Sequence, residues 1–210
     1  TPLVVAGGPC ACNPEPLADF VDLFFLGEGE EVDLEVIDLY KEYKAKGGND
    51  KKEFLKLASK IEGVYVPSLY DVQYDEEGKI SRYIPKEGAP ERVQKRIMTD
   101  MDNSFYPKNI PVPFTEIVHD RAVMEIFRGC IRGCRFCQAG FIYRPVREKS
   151  ADVINSEAKT LCDNTGYDEM SLSSLSTSDY TEIESLLERM IKWTDEDKIS
   201  LSLPSLRIDN

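Results

Sequence analysis

Three of the chain's six cysteines fall within eight residues, in the stretch RGCIRGCRFCQAG at residues 128–140, as Cys130, Cys134 and Cys137 with the spacing C-x3-C-x2-C. Clustered thiolates in a chain of this kind point to metal binding, and the number three narrows the metal. Structural zinc closes with four ligands, commonly from two paired C-x2-C turns, and the single histidine, His119, lies eleven residues ahead of Cys130. The ferredoxin run uses two-residue spacings and a fourth nearby cysteine, which this stretch lacks. Three thiolates on a four-iron cluster would leave one iron without a protein ligand, the open position that a catalytic metal needs for its substrate. Arg128, Arg132 and Arg135 share the stretch. Guanidiniums at that distance favour thiolate over thiol and offset the negative charge of an iron–sulfur group.

The charge around the cysteines differs from that of the rest of the chain. From Arg121 to Lys149 seven basic residues stand against two acidic ones, a local +5 in a chain whose net charge is −12. Most of the surface would therefore repel a nucleic acid, whereas the basic stretch suits an anionic substrate. Six cysteines in 210 residues are too few for the disulfide framework of a small secreted domain. The opening TPLVVAGGPCACNPEPL has no basic n-region and no signal-like cleavage site. No apolar run approaches the roughly eighteen residues that span a bilayer. The expectation is a cytoplasmic protein with no membrane partner.

The elements that must position the cysteines follow from periodicity. AVMEIF reads as a strand that runs directly into the cysteine loop, and Ser150 caps a helix bearing Ile154, Ala158 and Leu161 that ends at Gly166. DEMSLSSL is a second strand, a helix from Asp179 to Trp193 follows it, and KISLSLPSL is a third strand. Strand and helix in alternation imply right-handed crossovers and a parallel sheet, whose chemistry sits in the loops at the C-terminal strand ends.

Further upstream, LVVAGG is a short strand ending in paired glycines. NPEPLADF then predicts a helix with Asn13 as its cap and Pro14 in its first turn, and VDLFFLGEGEE is a second buried strand. Residues 30–46 keep a helical period, with Glu28, Glu30 and Glu31 as a solvated helix start. Asp50 and Glu53 form a capping-box pattern before a second helix, and SLYDVQYDEEGKISRYI reads as a hairpin turning at 76–78. Pro85 to Pro113 is a proline-dotted connector that holds the domain boundary.

On these residues the chain carries a resemblance. The C-x3-C-x-aromatic-C pattern after a first strand, with Phe136 as the aromatic, resembles the signature of the radical S-adenosylmethionine (radical SAM) superfamily. The wider stretch PFTEIVHDRAVMEIFRGCIRGCRFCQAGFIYRPVREKS, with GGPCACNPEPLADFVDLFFLGEGEE upstream, is similar to an uncharacterised family of that superfamily in which a cobalamin-binding-like domain precedes the radical domain. The resemblance implies that Cys130, Cys134 and Cys137 hold a [4Fe-4S] cluster whose open iron binds S-adenosylmethionine. One-electron reduction, from a partner such as flavodoxin or ferredoxin, then releases a 5'-deoxyadenosyl radical. It places Phe136 near the adenine, makes Ser173 and Ser174 candidates for the methionyl amine, and by position lets Ser205 and Arg207 reach the ribose or carboxylate. Ser173 and Ser174 depart from the commoner glycine-rich segment. The Asp-x-His-x-x-Gly motif of many cobalamin domains is absent, and Gly7 with Gly8 resemble only a glycine pair that admits a nucleotide tail, so cobalamin is implied for a full-length protein alone.

The fold expected is α/β in three parts. Residues 1–29 are the C-terminal part of a Rossmann-like cobalamin-domain sheet, 30–115 a helical and β-hairpin connector, and 116–210 the first half of a radical SAM (βα) partial TIM barrel. The function expected is reductive cleavage of S-adenosylmethionine for modification of an unknown substrate, methyl or sulfur transfer within that class, with a truncated chain expected to be inactive by itself. The competing class is a non-catalytic metal-binding module, holding structural zinc or an electron-transfer iron–sulfur site. Cys162 reads as a small core residue, Cys10 and Cys12 as loop residues, and His119 as a connector residue.

Overall fold

The computed structural model describes residues 2–86 and 88–208. The chain divides between Met98 and Thr99 into two compact units.

In the first unit β1 (Val5–Ala6) pairs in parallel with β2 (Leu23–Phe25), in the register Val5 to Leu23. The helix expected after Asn13 is not formed, and two short 3-10 turns, Pro9–Cys12 and Glu15–Leu17, make the crossover. Pro16 explains this: it has no N–H to give a helix, and its ring disfavours the α conformation at Glu15. The helix α1 (Gly29–Ala45) buries Val32, Val36 and Tyr43, and α2 (Lys51–Ala58) buries Phe54, Leu55 and Ala58. Asp50 caps α2 by accepting from the Lys52 N–H at 2.8 Å. Glu53 does not close the capping box. It takes the Tyr43 hydroxyl at 2.7 Å instead, while that hydroxyl accepts from the Asp50 N–H at 3.1 Å.

A further strand, β3 (Val64–Tyr65), joins β2 in the antiparallel sense, so the sheet is mixed rather than purely parallel. The hairpin of β4 (Tyr70–Tyr74) and β5 (Ile80–Pro85) turns where the sequence places it, with Asp75 accepting from the N–H groups of Glu77 and Lys79. Leu23 and Phe24 of β2 share one core with Val32, Phe54, Ala58 and Val64, so the helices after residue 29 pack in the same body as the strands before it. The glutamates at the start of α1 are not merely solvated. Glu31 and Glu35 both hold Arg96 at 2.6 Å, and Glu28 accepts from the Met98 N–H at 2.5 Å. Gly27 makes this possible, because a Cβ there would lie 2.0 Å from the Arg96 carbonyl oxygen.

The second unit carries the alternation read from the sequence. Three strands, β6 (Ala122–Glu125), β9 (Glu169–Ser173) and β10 (Ser200–Ser202), form a parallel sheet in the order β10-β9-β6. The crossover helices are α4 (Ala151–Thr165) and α5 (Ile183–Asp197). Ser150 caps α4, and Gly166, at φ 74°, ends it in the left-handed conformation that favours glycine. Met124, Ile154, Leu161, Met170, Leu172, Leu186 and Met190 are all fully buried in one core. Burial of that apolar surface is the main term holding the unit together.

Two expectations here need correction. AVMEIF is not one strand: β6 ends at Glu125, and β7 (Phe127–Arg128) pairs antiparallel with β8 (Arg147–Glu148). The switch occurs at Ile126, whose N–H bonds the Ser173 carbonyl while its own carbonyl accepts from the Lys149 N–H, each at 3.0 Å. The helix expected from Asp179 starts only at Ile183, because Thr177–Asp179 is a 3-10 turn and Tyr180 after it is extended. Among the described residues no helix is long and apolar enough to cross a membrane.

Candidate metal and cofactor site

The cysteine loop, residues 129–146, follows β6 and the two-residue β7 and is closed at its base by the β7–β8 ribbon, where Phe127 pairs with Glu148 and Arg128 with Arg147. The two arms of the loop meet at Gly129, where φ is +89° and a Cβ would stand 2.7 Å from the Pro145 carbonyl oxygen. Between the arms lies a single helical turn, α3 (Ala139–Ile142). The Cys137 N–H bonds the Cys134 carbonyl at 3.0 Å, a tight turn that places the last two cysteines side by side along the backbone. Cys130, Cys134 and Cys137 are free, half-buried thiols. Among the described residues no three His, Cys, Asp or Glu side chains converge as a ready-made metal site.

The other residues singled out by sequence separate into two groups. Phe136 stands 92% exposed beside Cys137. Ser174, Ser205 and Arg207 gather instead around the turn that follows β9. The Ser174 hydroxyl lies 3.0 Å from that of Thr177, and the Ser205 carbonyl accepts from the Thr177 N–H at 3.3 Å. The charge of Arg207 acts on Asp179. Ser173 closes β9, and its carbonyl receives the Ile126 N–H. Cys130 reaches the same neighbourhood through a cavity of about 140 Å³ that it lines with Phe127, Glu148, Ser176, Asp179 and Thr181.

Sequence reasoning missed the residues that make this turn a hub. Thr177 is fully buried and donates its hydroxyl to the Pro204 carbonyl at 2.5 Å, joining the loop after β9 to the loop after β10. Asp179 takes the Ser176 hydroxyl at 2.6 Å and the Arg132 guanidinium on both carboxylate oxygens, with Nε at 2.7 Å. That guanidinium, helped by the Ser176 hydroxyl, holds the Asp179 carboxyl well below the usual carboxylate range, at about 2. Next along the chain, the Tyr180 hydroxyl donates to the Lys149 carbonyl at 2.8 Å, and the Thr181 N–H and hydroxyl both go to Glu148. The only sequence signal was position: a run of small hydroxyl residues ending in Asp, between a buried strand and a helix, reads as an ordinary turn.

The basic stretch is largely engaged within the unit. Arg121 pairs with Glu169, Arg128 with Glu125, and Arg132 with Asp179. Lys149, 2% exposed, holds Glu157 at 2.7 Å with the Tyr106 ring 5.0 Å away. Arg144 covers the ring of Phe141 at 4.7 Å. Arg135 is exposed. Cys162 is a core residue of α4, and burial pushes its thiol up to about 11. Cys10 and Cys12 are exposed on the first 3-10 turn, and His119 is exposed ahead of β6.

Three soft thiol donors on a glycine-hinged loop at the C-terminal side of a parallel sheet, with no fourth cysteine in that loop, fit an iron–sulfur group that is held incompletely by protein. Comparison with known proteins agrees. Residues 1–67 match the family described as radical SAM proteins, N-terminal, a stretch running from β1 through β3. Residues 124–210 match the radical SAM superfamily, from β6 through β10 and beyond. An uncharacterised protein of Methanocaldococcus jannaschii is 31% identical over 210 residues, which are 99% of this chain and 38% of that protein. The superfamily implies a [4Fe-4S] cluster and S-adenosylmethionine as cofactors, and the two matches, falling on the two structural units with the cysteine loop inside the second, assign the chain to the radical SAM superfamily.

Proposed function

We propose that Cys130, Cys134 and Cys137 are the protein ligands of a [4Fe-4S] cluster, and that the protein modifies its substrate by radical chemistry. The observation that carries the reading is the cysteine loop itself, three thiols without a fourth on a loop at the C-terminal edge of a parallel sheet. The chemistry such a group supplies when bound is one-electron reductive cleavage of S-adenosylmethionine. The chain's own part is binding and orientation. Ser173 and Ser174 at the end of β9, and Ser205 and Arg207 after β10, offer hydroxyl and guanidinium groups to the polar end of that cofactor, and Phe136 offers an exposed ring to its base. Arg135 supplies positive charge next to the thiolates.

In this reading residues 116–210 are the first half of a (βα) partial TIM barrel, supported by three parallel strands with a helix over each crossover. Residues 1–29 are a Rossmann-like strand pair, supported by the parallel β1–β2 pairing and the glycines after β1, in a sheet that the antiparallel β3 extends. The substrate is anionic, its modification a methyl or sulfur transfer, and the electron comes from a small reductant protein of the flavodoxin or ferredoxin kind. The reading needs no cobalamin.

The test is anaerobic reconstitution with iron and sulfide, followed by electron paramagnetic resonance of the reduced protein with and without S-adenosylmethionine. A four-iron signal that shifts with the cofactor, and is lost in Cys134→Ala, is the expected result. Stoichiometric zinc with no cluster, or a cluster whose signal ignores the cofactor, would overturn it in favour of a structural or electron-transfer module.

A further inference from the structure

The arm of the loop that carries the cysteines, 129–138, lies between β7 and α3 and belongs to neither, so no backbone ladder fixes it. A loop of that kind pays conformational entropy whenever its side chains must gather on one ligand. Here the arm is fastened from outside. Arg132, midway between Cys130 and Cys134, lays its guanidinium fork on both oxygens of Asp179, forty-seven residues away. The same segment grips the loop's base, since Tyr180 and Thr181 bond Lys149 and Glu148. The anchor is itself fixed: the Asp179 side chain is 9% exposed, Ser176 holds it, and buried Thr177 ties the turn to the loop after β10. An exposed single-contact ion pair contributes little. A bidentate pair with one partner nearly buried and independently hydrogen-bonded is of a different kind.

We infer that Asp179 is a positioning residue, which through Arg132 restrains the cysteine arm against the end of β9 before any metal arrives. The inference rests on the reading of the three cysteines as ligands. Its consequence is that fewer loop conformations are given up when the thiols close on a cluster, so the cluster is held longer.

Two measurements on the whole chain separate the parts of this statement. Limited trypsin digestion of the metal-free chain, read by mass spectrometry, reports opening of the arm at Arg135, with Lys79 in the β4–β5 turn as an internal reference. Asp179→Asn and Arg132→Gln are each expected to speed cleavage after Arg135 by roughly tenfold, the size of a lost charge-assisted hydrogen bond, while cleavage after Lys79 stays unchanged. Arg132→Lys, which keeps the charge and loses the fork, should fall between. In reconstituted protein, iron release to a chelator should be faster in Asp179→Asn than in wild type, and intermediate in Arg132→Lys. Unchanged cleavage after Arg135 in both Asp179→Asn and Arg132→Gln would overturn the inference, as would faster cleavage with unchanged iron release. Faster cleavage in a chain whose wild type takes up no iron would leave the restraint standing and sink the ligand reading beneath it.

Discussion

Two loops carry five of the six cysteines: one leaves the C-terminal end of β1, a strand in a parallel pair, and the other follows the parallel β6 by way of the antiparallel β7. The loop after β1 presents Cys10 and Cys12 on a 3-10 turn whose backbone bonds reach only three residues, Ala11 to Gly8 and Asn13 to Cys10, and both thiols are exposed. The loop that follows β6 and β7 is closed by a ribbon at its base, bonded by residues from the next strand-end loop, and keeps its three thiols half-buried. Cysteines at a strand end are thus common to both. What differs is long-range fastening: the first loop is held by its own short backbone bonds, the second by partners remote in sequence.

The largest effect expected is on cluster content. Replacing Cys130, Cys134 or Cys137 singly by alanine should abolish iron and sulfide incorporation, whereas the double variant Cys10→Ser/Cys12→Ser should retain it in full. Iron and acid-labile sulfide per chain decide the matter. Loss of the cluster in the Cys10/Cys12 variant would erase the contrast between the loops.

Next in size is the contrast between two ion pairs. Lys149 and Glu157 are side chains of a core, 2% and 15% exposed, while Glu31 and Glu35 grip Arg96 from positions about half exposed. Removing one partner of a buried pair strands a charge in low dielectric and costs about 3–5 kcal/mol. Removing one of two exposed carboxylates costs about 0–1 kcal/mol. Glu157→Gln should therefore unfold the second unit at markedly lower urea, read from Trp193, the only tryptophan, which packs in that unit's core. Glu31→Gln should leave the first unit's midpoint nearly where it was.

How far the sequence could have been read follows the same division. The parallel β6-β9-β10 unit was legible because Met124, Met170, Leu172, Ile154 and Leu186 follow strand and helix periods, with Ser150 and Gly166 marking α4 at both ends. The cysteine spacing carried the superfamily resemblance that the family comparison supports. What was not legible depends on partners remote in sequence. Two-residue β3 is a strand only because Phe24 and Phe25 lie beside it, and Asp179 reads as a helix start until Arg132 is seen on it. The missing helix after Asn13 is a different failure, since its cause, a proline at position 16 with no N–H to give a helix, is local and stands in the sequence itself.

A pH experiment sharpens the view of the fastened loop. Asp179 has a folded pKa of about 2 against an ordinary 3.8, first because Arg132 bonds its carboxylate. A depressed folded pKa means that the unfolded chain binds the proton first as pH falls. The contribution of Asp179 is therefore full above about pH 4 and is lost between about pH 4 and 2. Urea midpoints followed by Trp193 should fall more steeply over that window in wild type than in Asp179→Asn. Identical slopes would mean that Arg132 releases the carboxylate in solution.

The smallest effect compares one helix from each unit. Asp50 caps α2 with a carboxylate oxygen 2.8 Å from the Lys52 N–H, a charge-assisted bond at the positive end of the helix dipole. Ser150 caps α4 with a neutral hydroxyl 3.4 Å from the Val153 N–H, at the long limit of a hydrogen bond, while Asp102 accepts from the backbone N–H of Ser150 itself at 2.6 Å. Replacing such caps by alanine costs about 0.5–2 kcal/mol. Asp50→Ala should fall near the middle of that range and Ser150→Ala at its lower end, measured by far-ultraviolet circular dichroism for the first unit and Trp193 fluorescence for the second. The reverse order would mean that α4, which starts directly behind the β7–β8 ribbon at the base of the cysteine loop, depends on its cap to hold that ribbon in place, and the fastening of the loop would then extend from Asp179 to the first turn of the helix behind it.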